Sequence, residues 1–417
     1  MLLDSGYSSF FIVNVAFLSV KLLQFGIVWL APRSFDTSTH LLLERYGIYS
    51  NPWWSKLLSW DSVFFIKNST WMKETGSSAP QYEHEWAFSP IWSKIIQSSD
   101  LQHTVMKAVA LNIALHYVST WIIYALTKHT FPPFGKQVQT KMALTTSVLF
   151  ILSSAGGFLI SVYSEPIAFT FSLLGMLSRQ WSIEFDVYGS LHFGHLKWFF
   201  YILSSVCFSF AFLNRTNCLL LGIFYIHDSW NLFSRKKWIN GMLYPVLSGA
   251  ILFGIFIYTY YYLPYTALCP ERGEWCNTKI YGLPITHQSL YSYIQAKHWN
   301  VGFLKYWTPN NIPNFLFGLP NIVVLWNAST YFSYQYPTQN LKPYVWITRA
   351  FLLIMIFLAN VQIINRVSSF LPLSLWYISD SLTKNANDMR VIKYYLMWLL
   401  VWIPTQTALF ACFLPPA

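Results

Sequence analysis

Charge is what this sequence has least of. Only 10% of its 417 residues are Asp, Glu, Lys or Arg, against roughly a quarter in ordinary soluble proteins. So few charges cannot cover a water-facing surface of this size, which excludes a soluble multi-domain enzyme. A disordered chain is excluded as well, because 54% of the residues are hydrophobic and 19% aromatic. Five cysteines are too few to staple a small secreted scaffold. No P-loop, dinucleotide fingerprint, G-x-S-x-G elbow or H-E-x-x-H stands anywhere. Low-complexity tracts are missing, as are the matched broken helices of a typical transporter. The first apolar stretch has Asp4 before it and neither a basic flank nor a small-residue cleavage site, so it is expected to stay as an anchor.

What is present is a series of long apolar runs. About 20 such residues cross the hydrocarbon core as a helix. Runs at 10–30, 104–126, 142–162, 165–177, 198–213, 218–232, 243–263, 312–326, 345–364 and 394–413 predict an all-α integral membrane protein of about ten transmembrane helices. The whole chain, 1–417, reads as one polytopic domain. The net charge of +11 comes from 27 Lys and Arg against 16 Asp and Glu. No basic run is long enough for a nucleic-acid footprint, so nucleic acid is not an expected partner. The excess sits in short loops, with Lys128, Lys136 and Lys141 in one and Arg235, Lys236 and Lys237 in another. The positive-inside rule makes both cytoplasmic. Segments 33–103, 264–310 and 365–391 then share the other face, with short interfacial helices in the large loops, and that face is expected to do the work.

The ionisable residues gather there. SWDSVFFIKNSTW, residues 59–71, sets Asp61 beside Trp60 at the head of an amphipathic run. Asp61 is either the N-cap of a short helix or a carboxylate held over a polar cavity, able to take a proton from a hydroxyl. QYEHEWAFSPIW, residues 81–92, puts Glu83, His84 and Glu85 in sequence among aromatics. They could bind sugar hydroxyls or a divalent cation, or orient a base, although three adjacent side chains cannot all face one ligand. Glu165 opens a span, where a helix N-terminus favours its charge. Arg215 lies in FLNRTN between two spans, and Arg366 follows another in INRVSSFLPL. An arginine at a membrane boundary either snorkels to lipid headgroups or has a partner, and phosphate suits its fork. Cys269 and Cys276 flank PERGEW in the middle segment, where a disulfide can form. That segment also holds His287, Lys297, His298, Trp299 and Lys305; its aromatics either line a carbohydrate or lipid groove or cap the spans.

Taken in order, the WD of Trp60-Asp61, YEHEWAF (82–88), VYSE (162–165), NRTN (214–217) and NRVSSFLP (365–372) resemble the GPI mannosyltransferase 2 family of the C-type glycosyltransferases, in its yeast form. Ser89-Pro90 after the EHE segment and the Thr of NRTN depart from the common pattern, and neither touches Asp61. The resemblance implies a multi-span endoplasmic-reticulum enzyme with a luminal site in the first loop, 33–103. It would transfer a second, α-1,6-linked mannose from dolichyl-phosphate mannose to the mono-mannosylated glycosylphosphatidylinositol precursor. Asp61 matches the family's base. Trp60, Glu83, His84, Glu85, Glu165, Arg215 and Arg366 would bind substrate. No cofactor is required by this chemistry, although a divalent metal is compatible with it, and a small membrane partner subunit is implied. The same arginines and aromatics would equally serve a transporter or scramblase of polyprenyl or GPI lipids, or a non-catalytic subunit of a transferase complex.

Overall fold

A computed structural model of the chain describes residues 6–32, 35, 37–50, 52–77, 79–131, 136–194, 196–235, 241–269, 274–277, 288–336, 338–384 and 389–414. Lys236, Lys237 and His287 lie outside the described residues, as do 270–273 between the two cysteines. In chain order the helices are α1 (Gly6–Leu30), α2 (Ser38–Arg45), α3 (Ser62–Thr75), α4 (Pro90–Ile96), α5 (Leu101–Thr130), α6 (Lys136–Ile151), α7 (Glu165–Ser182), α8 (Trp198–Asn214) and α9 (Ile223–Ser234). They continue with α10 (Leu243–Ile257), α11 (Leu263–Leu268), α12 (Leu290–Trp299), α13 (Ile312–Tyr334), α14 (Lys342–Phe357), α15 (Ile364–Val367), α16 (Leu373–Lys384) and α17 (Arg390–Ala411). One short antiparallel hairpin, Ile183–Phe185 with Leu191–Phe193, follows α7. The all-α membrane architecture expected from composition is the one found.

Among the described residues, four stretches are long and apolar enough to cross a bilayer alone: Ser8–Leu30, Leu101–Thr130, Leu243–Leu268 and Pro309–Tyr334. The expected count of ten is not reached by that measure, because several expected spans are interrupted. The run at 142–162 stops as α-helix at Ile151 and resumes only as a 3-10 turn, Gly156–Ile160. Gly156 sits there at φ +48°, where an added Cβ would lie 2.0 Å from Gln406 Oε1 of α17. A helical residue with a side chain cannot make that approach. The run at 218–232 begins as a 3-10 turn, Thr216–Gly222, before α9, and α14 ends at Phe357 ahead of the turns that carry 361–367.

Many polar side chains inside the bundle find partners within it, which a lipid environment favours. Thr120, Thr127, Thr146 and Ser172 each donate to the carbonyl four residues back. Arg179 of α7 grips Asp228 of α9 with Nε (2.8 Å) and Nη2 (2.6 Å), both side chains fully buried.

Segment 365–391 does not stand apart as a loop. Asn365 and Arg366 do sit at its start, but α16 then packs between α6 and α13. Trp376 donates to Thr127 Oγ1 at 2.8 Å, and Asp380 accepts from Tyr331 near the far end of α13. Serines at 374, 379 and 381 dilute its hydropathy, while Leu373, Trp376 and Ile378 are fully buried. The same far end carries Lys128 and Arg235: Gln139 bonds the Lys128 and Phe131 carbonyls, Phe131 meets Trp376, and Arg235 bonds the Tyr188 carbonyl beside Asn231. The helix breaks at 152–164, 215–222 and 358–372 come together at the other end.

Candidate active site

Asp61 is placed by the chain around it, not by its own side chain. Its carbonyl accepts from Phe64 and Phe65 at the start of α3, yet its carboxylate makes no capping bond. The Asp61 N–H instead donates to the Tyr163 hydroxyl at 2.8 Å, and that hydroxyl donates to the Ser59 carbonyl at 3.3 Å. Trp60, immediately before, adopts a left-handed φ of +58° and stacks on Phe413 with ring centres 5.1 Å apart. Such strain in a bulky residue costs on the order of 1–3 kcal/mol and persists where the surroundings enforce it.

The carboxylate is thereby left to meet Arg366, whose Nη1 donates to Asp61 Oδ2 at 3.0 Å. Arg366 Nε lies 2.9 Å from Glu165 Oε1, an ionic contact without hydrogen-bond alignment. Glu165 Oε2 in turn accepts from Arg215 Nη2 at 2.6 Å. Four charges from four distant segments thus alternate in one row and sum to zero. Glu165 is the inner member, 3% exposed, whereas Asp61 keeps 27%. Both arginines lie over aromatic faces, Arg366 over Phe158 (5.0 Å) and Tyr163 (5.3 Å), Arg215 over Phe65 (5.8 Å) and Tyr163 (6.0 Å). Burial works against the Arg366 charge, but Glu165 and Asp61 outweigh it and hold its pKa above the ordinary arginine value.

Asn365 fixes the arginine beside it. Its Oδ1 accepts from Asn321 of α13 at 2.8 Å, its Nδ2 donates to the Phe317 carbonyl at 3.0 Å, and its own carbonyl accepts from Ser154 at 2.7 Å. On the other flank, Asn214 accepts from Ser89 at 3.0 Å, joining NRTN to the N-cap of α4.

Asp61, Arg215 and Arg366 line a cavity of about 1410 Å³. Its neutral polar walls include Asn217, Tyr260, Tyr291 and Gln295. From this end an apolar arm runs between α9 and α10, lined by Leu220, Ile223, Ile226, Val246 and Phe253. Ile226, Val246 and Phe253 are exposed, so the arm opens sideways out of the bundle.

The EHE segment is close by but turned elsewhere; Glu83, His84 and Glu85 are not among the lining residues, while Trp86, Ala87 and Phe88 are. Glu85 is buried, closes the 3-10 turn Glu83–Ala87 by accepting from the Tyr82 N–H at 3.1 Å, and pairs with Lys67 at 2.6 Å. Glu83 pairs with Lys297 (3.2 Å) and His298 (3.3 Å) of α12. His84 rests against Phe64 and His298, and burial pushes its imidazole pKa below 6.5. In this structure both acids are engaged by protein partners and face away from the cavity. Replacing Lys67 with Met, which strands the buried Glu85 charge, is expected to lower stability by about 3 kcal/mol. Transfer per folded molecule should stay unchanged, and a fall in that ratio without a lower melting midpoint would give the segment a chemical role.

Cys269 and Cys276 are joined in a disulfide, and Cys207 and Cys218 are buried free thiols. Asn68, in the N-x-[ST] glycosylation pattern Asn68-Ser69-Thr70, is buried, its amide on the Glu85 carbonyl at 3.4 Å. Among the described residues no three His, Cys, Asp or Glu side chains gather as a metal site. Tyr163, Asn321, Tyr260 and Tyr291 were not singled out by sequence reasoning. In a chain with 27 tyrosines, residue type alone carries no signal.

A profile of the family described as Mannosyltransferase (PIG-V) matches residues 13–417. The GPI mannosyltransferase 2 of Kluyveromyces lactis is 79% identical over 417 residues, covering 100% of each chain. Those of Eremothecium gossypii and Saccharomyces cerevisiae are 48% and 46% identical, each covering 97% of this chain and 99% of the relative. Among solved structures, the Archaeoglobus fulgidus oligosaccharyltransferase tethered to an acceptor peptide superposes with a TM-score of 0.52 at 10% identity. It covers 98% of this chain, which spans about half that protein's length (56%), and the likeness is one of fold. The chain therefore belongs to the PIG-V family of mannosyltransferases and is a multi-pass membrane enzyme of glycosylphosphatidylinositol synthesis.

Proposed function

We propose that this enzyme transfers mannose from dolichyl-phosphate mannose to the 6-hydroxyl of the mannose on a mono-mannosylated GPI precursor, with inversion, on the luminal side of the endoplasmic reticulum. One observation carries the reading: Asp61 and two arginines meet in one cavity that continues into an open apolar arm. A polyprenyl chain suits that arm, and a phosphate suits the guanidinium forks at its head. Lys128 and Arg235, at the opposite end of the bundle, support a non-cytoplasmic site.

The chemistry balances with these residues. The acceptor oxygen forms a bond to the mannose anomeric carbon as the bond from that carbon to the phosphate oxygen breaks. Asp61 takes the acceptor proton, and dolichyl phosphate leaves with one more negative charge. A β-linked donor gives an α-linked product in this single displacement. Phosphate leaves without a general acid, so a base and cationic stabilisation suffice. Arg366 couples the two. In the free enzyme it is shared by Asp61 and Glu165; donor phosphate competes for its fork, releasing the carboxylate beside the acceptor. Glu165 is a positioning residue that keeps both arginines in place.

Purified full-length enzyme given labelled dolichyl-phosphate mannose and mono-mannosylated GPI, with and without chelator, tests this reading. An α-1,6-linked dimannosyl product is expected in both arms. A product made only from another mannosyl donor, or carrying another linkage, contradicts it.

A further inference from the structure

The cavity has a second wall, built by a different part of the chain from the charged row. Helix α12 presents Tyr291, Gln295 and Trp299 to it, three residues at i, i+4 and i+8 on one helical face. Its other faces are fastened. Leu290 and Ile294 pack with Trp86, Leu268, Trp275 and the disulfide-bonded Cys276. Trp275 Nε1 donates to the Gln288 carbonyl at 2.9 Å, Ser289 caps the first turn, and Lys297 and His298 hold Glu83. Trp299 meets Phe88 edge-on at 5.8 Å. A helix this firmly docked is a preformed surface.

From the far side of the same wall comes Tyr260, carried on a π-helical turn, Tyr258–Tyr262. Such turns cluster at functional sites because the inserted residue re-aims its neighbours. Here the ring of Tyr260 packs on that of Tyr291 at 5.3 Å, and its hydroxyl shares a hydrogen bond with Thr216 Oγ1 at 2.7 Å, directly beside Arg215. The hydroxyl of Tyr291 lies near Thr216 and within electrostatic reach of Arg215, Arg366 and Asp61.

This wall holds two phenols, a carboxamide and an indole, and its cavity face carries no charge. That set matches an uncharged polyol with one apolar face, a hexopyranose, and offers no positive charge to a phosphate, which the two arginines of the same cavity attract. We propose that Tyr291, Gln295, Trp299 and Tyr260 form the subsite for the acceptor's mannose ring and set which sugar receives the transfer. The acceptor is favoured over the donor's own mannose by what lies next to α12. On the same helix, outside the cavity lining, Lys297 and His298 are exposed and hold the half-buried Glu83, a polar edge along which a headgroup longer than one sugar can extend.

Because a sugar subsite here deepens the proposed transfer, the test separates the two. In the full-length enzyme, donor and acceptor concentrations are varied independently for Tyr291→Phe and Gln295→Ala. Each variant loses one hydrogen-bonding function, so the acceptor KM is expected to rise about fivefold to tenfold. The donor KM and kcat should stay within about twofold. A rise in donor KM alone assigns the ring held there to the donor and overturns the proposal, as do unchanged KM values or loss of turnover in a variant that melts like the parent. Displacement of labelled mono-mannosylated GPI from donor-free enzyme reads the same contact without turnover. Weaker binding by Tyr291→Phe in that assay upholds the subsite even if dolichyl-phosphate mannose proves not to be the donor, and equal binding removes it. If Tyr291→Phe does not fold, Gln295→Ala decides by the same readings.

Discussion

Asp61→Asn is expected to lower kcat by about a thousandfold, within the range that a positioned general base contributes. The substitution is conservative for the fold. An amide oxygen still accepts from Arg366, and the backbone bond to Tyr163 does not involve the side chain. Melting midpoint and donor binding should therefore stay near those of the parent. What is lost is the capacity to accept the proton of the attacking hydroxyl, which no neighbouring group replaces: Glu165 is buried behind Arg366, and Tyr163 already spends its hydroxyl on Ser59 and the Asp61 N–H.

Arg366 carries the second large effect, on stability and activity together. Arg366→Ala leaves Glu165, which is almost wholly buried, with Arg215 alone, and leaves Asp61 without a counter-charge. Breaking a buried ionic network from one side costs about 3–5 kcal/mol. Arg366→Lys separates the two consequences. An ammonium restores charge but cannot reach Asp61 and Glu165 with separate nitrogens, nor grip a phosphate with a planar fork. That variant is expected to recover most of the lost stability while kcat/KM for the donor stays about a hundredfold below the parent, a loss comparable to removing one transition-state donor. Recovery of both together would mean that Arg366 serves the fold alone.

Much of this site is legible in the amino-acid sequence because charge is so rare in it. Asp61, Glu165, Arg215 and Arg366 each interrupt apolar context, and the structure brings all four into one row. The EHE segment is less legible for a physical reason: its carboxylates look available, but their partners, Lys67 on one side and Lys297 with His298 on the other, include residues more than two hundred positions away. Periodicity within the segment cannot show that. Interrupted helices were the other blind spot. Apolar runs at 142–162 and 345–364 look continuous, yet each breaks where backbone must approach α17 or present the turns around Arg366. In α16 the opposite happens, since its serines hide a helix that is buried in the bundle. Trp60 shows neither its left-handed backbone nor its stacking on Phe413 in sequence, because the partner ring lies at the other end of the sequence.

Removing the side chain at position 61 and supplying a small carboxylate in its place asks most directly whether a base there drives the transfer. Asp61→Gly should be almost inactive with dolichyl-phosphate mannose, and added formate should raise its rate in proportion to concentration, yielding the same α-linked product as the parent. Near-parental transfer by Asp61→Gly without formate would show that the acceptor proton leaves by another route.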